Sequence, residues 1–186
     1  MFNALTIIKE GNETLRTIAE KVELPISDHD KNTLKSMMNH LIKSQIPEIA
    51  EAEGIQPGVG LAAPQINVSK RMFVILTHDF QDRLHKYAFI NPEIIYKSDE
   101  LVYLPDGEGC LSVPRLTEGY VPRHRVIKVK TKLYDTDKDT FRSVTMQFKG
   151  YISVVFQHEF DHLNGVLFVD RLVETPPEGA KDLFEE

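Results

Sequence analysis

The chain contains 186 residues, of which 41% are hydrophobic and 27% are charged, and its formal net charge is −6. This composition is that of an ordinary globular protein, and the length predicts one domain, residues 1–186, that buries roughly 70% of the unfolded surface. Because acidic and basic residues are interspersed, the charge pattern predicts neither direct nucleic-acid binding nor attachment to an anionic membrane.

Targeting features are missing from the sequence. Residues 1–16 have no basic start and no sustained apolar run, so they do not predict a secretory signal, and no apolar run is long enough to span a bilayer. Cys110 is the single cysteine. It cannot form an internal disulfide, and a lone thiol suits a reducing compartment. We therefore expect a cytoplasmic protein without membrane association.

The first element predicted in chain order is an amphipathic helix that follows Ser27. Ser27 is a favourable N-cap residue, and apolar residues recur at helical spacing between positions 34 and 42. Its methionines are expected to fill gaps in the core. Residues 47–65 are interrupted by Pro57, Gly58 and Gly60, which predicts a loop.

Strands are predicted in the middle of the chain. Residues 72–76, 87–91 and 93–97 are rich in β-branched and aromatic side chains. Residues 124–135 and 140–148 alternate apolar and polar side chains on either side of an aspartate-rich turn. This alternation predicts an antiparallel hairpin with one solvent-facing side.

A second helix is predicted over residues 150–163, which Ile152, Val155, Phe156 and residues 159–163 support, and Asn164 and Gly165 form a good stop signal after it. Strands grouped between helices, instead of alternating with them, favour an α+β fold over a doubly wound sheet. We therefore predict antiparallel or mixed β-sheets packed around a central helix that bears the HExxH sequence at positions 158–162, with an N-terminal helical region.

The HExxH sequence suggests a metal site. Residues four apart lie one above the other on a helix, so His158 and His162 can bind one cation. Glu159 would lie close to that cation, where it can exchange a proton with metal-held water. The alternative is that both are ordinary helix histidines, because the motif also arises by chance. A metal site therefore needs a further ligand elsewhere in the chain.

The residues themselves leave the identity of the third ligand open. Phe168 occupies the position of the third histidine in the extended metalloprotease motif. Cys110 lies in a glycine-rich stretch that permits close approach of the backbone, and a strand can begin at Leu111. A thiolate binds divalent transition metals strongly, although a lone buried cysteine can also act as a small hydrophobic residue. The other candidate donors are His29, His40, His78, His85, His124, Glu174, Glu178, Glu185 and Glu186.

Three separate stretches resemble the motifs of peptide deformylases. They are GVGLAAPQ at 58–65, EGCLS at 108–112 and HEFDH at 158–162, in this order. The similarity extends over nearly the whole chain, and the segment 76–94 is similar to the longer, Gram-positive class of the family. The resemblance implies hydrolysis of the N-formyl group from the N-terminal formylmethionine of newly made polypeptides, with release of formate.

The resemblance also implies the ligands of the metal. Cys110, His158 and His162 would hold one divalent transition metal, with water in the fourth position. Three protein ligands and one open position are typical of catalytic sites. Fe²⁺ is expected natively, with Zn²⁺, Ni²⁺ or Co²⁺ as substitutes, because availability and oxidation matter more than intrinsic affinity.

By the same resemblance, Glu159 would be the general acid/base that protonates the departing amine. The side chain of Gln65 and the backbone N–H of Leu111 would stabilise the oxyanion. Such neutral donors avoid the cost of burying an additional cation. Gly60 would present its backbone to the substrate. Glu108 and Asp161 are candidates for orienting the ligands.

The implied partners are N-formylmethionyl peptides of nascent chains, which family members bind as an added strand. Transient proximity to the ribosome follows from this substrate. Some family members dock there through a basic C-terminal helix, whereas this chain ends with the short acidic sequence AKDLFEE.

Two other functions are compatible with the residues. A metallopeptidase could use the same helix to cleave internal amides of unformylated peptides. A non-catalytic protein could instead hold a closed structural metal, which would require four protein ligands and would make Glu159 expendable.

Overall fold

The computed structural model describes residues 5–185, so the start of the stretch examined for a signal sequence lies outside the described residues. The described part contains three α-helices, eight strands and three short 3-10 helices. Its helices are not long and apolar enough to cross a membrane. The α-helices are α1 (Asp28–Ser44), α2 (Pro47–Glu53) and α3 (Tyr151–His162). The strands are β1 (Gly60–Ala62), β2 (Met72–His78), β3 (Leu84–Lys97), β4 (Leu101–Tyr103), β5 (Arg123–His124), β6 (Val126–Asp135), β7 (Thr140–Lys149) and β8 (Lys181–Asp182).

The strands form two sheets. The larger sheet has the order β1-β2-β3-β6-β7, and each neighbouring pair is antiparallel. The smaller sheet has the order β5-β4-β8, in which β4 pairs antiparallel with β5 and parallel with β8. The predicted α+β fold with antiparallel and mixed sheets is therefore confirmed.

Helix α1 covers one face of the larger sheet. It begins where the sequence predicts, because the side chain of Ser27 accepts a hydrogen bond of 3.1 Å from the amide of Asp30. Leu34, Met37 and Leu41 on its buried face pack in the same core as residues of β2 and β3. The methionines fill the core, as expected.

The prediction of a continuous loop over residues 47–65 is wrong. This stretch contains α2, which has Pro47 in its first turn and ends at Gly54 with a φ of 63°. It also contains β1, in which Gly60 pairs with Ile75 of β2. The glycines therefore mark the end of a helix and a short edge strand, whose pairing depends on a residue 15 positions away in the chain.

The two strands predicted at 87–91 and 93–97 form one strand, β3. Its pairing with β6 shifts register between Ile90 and Glu93, and Asn91 at this irregularity has a φ of 48°. The side chain of Asn91 accepts a bond from the Val22 amide and donates one to the Val22 carbonyl. The predicted hairpin is confirmed as β6 and β7, which pair over their full lengths.

Helix α3 contacts both sheets. Its Phe156 is fully buried, and its ring lies 5.1 Å from the rings of Phe73 and Phe89 in the larger sheet. Its Val154 packs against Val102 of β4 in the smaller sheet. Residues 104–113, which we call the cysteine loop, follow β4 and have no helix or regular strand. The fold therefore brings this loop and α3 together.

Candidate active site

The cysteine loop and the last turns of α3 place three metal-binding side chains together. The ligand atoms of Cys110, His158 and His162 all lie within 4.8 Å of one another. The sulfur of Cys110 is 3.3 Å from Nε2 of His162. One thiol and two imidazoles form a donor set that suits a divalent transition metal. The structure thus brings together the three ligands that the resemblance implies.

The other candidate donors do not join this group. Among residues 5–185, no other set of three or more histidine, cysteine, aspartate or glutamate donors converges in the same way. His124, for example, contacts the carbonyl oxygen of Ser98 at 2.7 Å, and His85 contacts Asp79 at 3.0 Å. Glu186 lies outside the described residues.

Each histidine of the site has a distinct environment. Nδ1 of His158 lies 2.8 Å from Oε2 of Glu108, which leaves its Nε2 for a metal. Burial opposes protonation of His158, but hydrogen bonds to Cys110 and Glu108 raise its pKa well above the ordinary value. Burial and the neighbouring His158 lower the pKa of His162 well below its ordinary value. Metal ligation would require both imidazoles to be neutral, a state that the lowered pKa of His162 already favours and that His158 would reach by losing its proton.

Arg123 connects the two sides of the site. Its guanidinium is only 3% exposed and binds Glu108 of the cysteine loop through two bonds of 2.8 and 2.9 Å. It also binds Asp161 of α3 at 2.6 Å, and Arg171 binds the same carboxylate. Burial raises the pKa of Glu108, but the charge and hydrogen bonds of Arg123 outweigh burial and lower it to about 2. Glu108 therefore orients His158, whereas Asp161 orients the arginines.

Glu159 lies in a tight buried position beside the ligands. Its side chain is 4% exposed, and burial raises its pKa to about 7. Its Oε2 has no hydrogen-bond partner among the residues that the structure describes. A Cβ atom at Gly60 would lie 2.3 Å from Oε1 of Glu159, so any larger residue there would displace the Glu159 side chain. The sequence assigned Gly60 to substrate contact, and the structure adds this second reason for a glycine.

Gln65 points into the site from the 3-10 helix Ala63–Ile66, which follows β1. It is 1% exposed, and its Oε1 accepts a bond of 2.8 Å from the amide of Ala62. This contact directs Nε2 toward the sulfur of Cys110, at 3.5 Å, and the hydroxyl of Ser112, at 3.3 Å. Its carboxamide is thus held with a donor facing the metal-binding residues.

The expected strand start at Leu111 is wrong. The amide of Val113 donates to the carbonyl of Cys110 at 3.0 Å, which closes a turn around Leu111 and Ser112. The turn lets the amide of Ser112 reach the sulfur of Cys110 at 3.4 Å. Lys9 donates to the carbonyl of Leu111 at 2.7 Å, while no acceptor within residues 5–185 takes the Leu111 N–H. This amide is therefore available as a donor.

A cavity of about 430 Å³ lies in front of these residues. It contacts the predicted site residues except Asp161 and His162, which are both buried. The sequence analysis did not identify the apolar wall of this cavity, to which Leu104 and one face of α3 contribute. The face could have been found, because its residues follow the helical spacing i, i+3, i+4, i+7. These residues are Tyr151, Val154, Val155 and His158.

Comparison with known proteins identifies the same family as the three sequence motifs. Residues 4–177 match the family model described as polypeptide deformylase. The chain is 46% identical over 172 residues to a peptide deformylase of Halalkalibacterium halodurans, a match that covers 92% of each chain. It is 44% identical over 177 residues to peptide deformylase 2 of Bacillus subtilis, which covers 95% of this chain and 94% of the relative.

Solved structures show the same similarity. The peptide deformylase of Thermotoga maritima has a TM-score of 0.67 and 35% identity, and the match covers 92% of this chain and 99% of that one. A class I type b peptide deformylase of Acinetobacter baumannii, solved with Met-Ala-Ser bound, has a TM-score of 0.70 and 30% identity. That match covers 92% of this chain and 100% of the other.

Proposed function

Because the chain belongs to the polypeptide deformylase family, whose members remove the N-formyl group from new polypeptides, we propose that the cavity beside α3 is its active site. The protein is a metal-dependent hydrolase of this family. One observation carries the assignment of the site. Cys110 and His162, 52 positions apart, meet at 3.3 Å beside a cavity that also contains Glu159.

Cys110, His158 and His162 are proposed as the metal ligands. Their sulfur and nitrogen donors suit a divalent transition metal. From the family resemblance we propose Fe²⁺ as the native metal, with Zn²⁺, Ni²⁺ or Co²⁺ as substitutes. When bound, such a metal supplies a water molecule of lowered pKa as nucleophile. The contact from Glu108 to Nδ1 of His158 fixes the tautomer that this ligation needs.

The remaining residues handle the proton and the developing charge. The carboxylate of Glu159, buried beside the proposed ligands, accepts a proton from water and returns it to the amine that leaves. The carboxamide of Gln65 and the free N–H of Leu111 donate to the formyl oxygen as it becomes negative. Burial strengthens these interactions because water competes weakly in the cavity.

The substrate is proposed to be an N-formylmethionyl peptide that adds to β1 as a strand. β1 lies at one edge of the larger sheet, and its first residue, Gly60, lines the cavity together with the preceding Gly58 and Val59. The Acinetobacter baumannii enzyme, solved with Met-Ala-Ser bound, supports a short peptide as the kind of ligand. Backbone pairing accepts many sequences, which suits cytoplasmic nascent chains close to the ribosome.

Formate release tests this function. The protein, purified without oxygen and analysed for metal content, is given formyl-Met-Ala and, separately, Met-Ala-Ser. We expect one transition metal per chain and formate from the first peptide only. Cleavage of the second peptide alone would favour a metallopeptidase. A structural site would be favoured if the protein holds one metal per chain, releases no formate from either peptide, and keeps the same metal content in the Glu159→Ala variant.

A further inference from the structure

An exposed aromatic group lies beside the cavity. Phe80, between β2 and β3, is 57% exposed, and Phe184, after β8, is 52% exposed. Their ring centroids are 5.3 Å apart, and the ring of Phe80 lies 5.9 Å from that of Tyr151. Tyr151 itself lines the cavity together with His158. Phe80, Tyr151 and Phe184, which we call the aromatic rim, therefore extend the cavity wall onto the surface.

The turn that carries Phe80 is closed by several hydrogen bonds. The side chain of Asp79 accepts bonds of 3.0 Å from the amides of Gln81 and Arg83, and a further bond of 2.7 Å from Nε of Arg83. His85 contacts the same carboxylate at 3.0 Å. The exposed ring of Phe80 is therefore presented by a hydrogen-bonded turn.

Phe184 is likewise held by its neighbours in the chain. The preceding Leu183 is 2% exposed and packs against Val102 and Val154. The amide of Phe184 donates to Asp182 at 2.8 Å. β8, which precedes Phe184, is paired with β4. The ring therefore stays on the surface although the residue before it is in the core.

Adjacent exposed rings on an ordered scaffold are a favourable contact for an apolar ligand. Single exposed hydrophobic residues are common, whereas a contiguous group beside a cleft is typical of binding surfaces. Aromatic pairs at these distances contribute beyond the area that they bury. A peptide held at β1 would leave the cavity with side chains that follow its first residue. The rim offers such side chains an apolar surface.

We propose that the aromatic rim binds side chains that follow the formylmethionine, so that the enzyme favours substrates with an aromatic or large apolar residue there. This proposal rests on the proposed function. Phe80 and Phe184 act as specificity-determining residues in it and do not contact the reacting atoms. A purely structural role, in which the two rings hold β8 against the β2–β3 turn, would alter stability without altering substrate preference.

The experiment compares substrates within one enzyme, so that loss of folded protein or metal cancels. The kcat/KM values of formyl-Met-Ser-Ser, formyl-Met-Phe-Ser and formyl-Met-Ser-Phe are measured for the wild type and for the double variant Phe80→Ser, Phe184→Ser. The control variant is Ile95→Ser, because Ile95 is 53% exposed on β3 and is not part of the cavity lining. Affinities of the corresponding unformylated peptides are measured by calorimetry as a readout without turnover.

The wild type is expected to prefer one phenylalanine peptide over formyl-Met-Ser-Ser by about threefold to tenfold, as for an aromatic contact. The double variant should lose this preference, and Ile95→Ser should keep it. A wild-type ratio near one, or a ratio that survives in the double variant, would overturn the proposal. Absence of formate from all three peptides would instead contradict the proposed function, and the peptide affinities would still decide the role of the rim.

Discussion

Helix α3 supplies His158, Glu159 and His162 from neighbouring turns, whereas the cysteine loop supplies Cys110 from a stretch without regular structure. The helix is positioned by buried aromatic packing, in which Phe156 lies against rings of the larger sheet. The loop is positioned by polar contacts, of which the buried pair between Glu108 and Arg123 is the most enclosed.

This difference teaches that the two halves of the site depend on different interactions. Apolar packing acts on the whole fold, so damage to the core side of α3 should reduce stability. A hydrogen-bonded loop can lose one orienting contact and remain in place, so damage there should first affect metal binding. Arg123 links the halves because it binds both Glu108 and Asp161.

The largest expected effect is on turnover, from a residue of α3 that is not a metal ligand. Glu159→Gln keeps the volume of the side chain and removes its ability to accept a proton. We expect kcat to fall by about 10²- to 10⁴-fold. Metal content should be unchanged, as measured by elemental analysis alongside formate release. The exposed Glu93→Gln on β3 is the control, and equal activity in both variants would contradict the role of Glu159.

Gln65→Leu should lower kcat by about 10²- to 10³-fold, because it removes one donor to the developing oxyanion. Gln147→Leu, on the exposed side of β7, is the matched control. Steady-state kinetics with formyl-Met-Ala measure the effect. A change confined to KM would show that Gln65 acts in substrate binding instead.

Phe156→Ala tests the packing of α3. Removal of a fully buried ring that contacts Phe73 and Phe89 should lower the free energy of unfolding by about 3–5 kcal/mol. Urea denaturation of the metal-loaded protein measures it. Phe141→Ala should cost less, because Phe141 is only partly buried on the α1 side of the sheet. Equal losses would contradict the conclusion that α3 is positioned mainly by the buried packing of Phe156.

Glu108→Gln tests the cysteine loop and should have the smallest effect. Loss of the charge that orients His158 should weaken metal affinity by about 10- to 100-fold. Competition with a chelator measures the affinity, and circular dichroism verifies that the variant is folded. Glu100→Gln is the control, since Glu100 also binds an arginine but lies away from the ligands. Unchanged affinity would show that His158 is oriented without Glu108.

Much of the architecture could be predicted from local patterns. The N-cap at Ser27, the hairpin of β6 and β7 and the helix that bears HExxH all depend on residues close together in the chain. The errors concern segments whose structure depends on distant partners. β1 exists because it pairs with β2, and Leu111 lies in a turn that orients Cys110 toward α3.

The sequence by itself determined the residue types, the helical spacing of the histidines and the order of the three motifs. Residue types and motif order are read directly from the chain, and the spacing of the histidines depends only on local helix geometry, because four residues span about one helical turn. Only the tertiary structure decided that Cys110 meets His162, that Gly60 leaves room for Glu159 and that Arg123 joins loop and helix. Such contacts join residues far apart in the chain, so packing and charge pairing in the folded protein fix them.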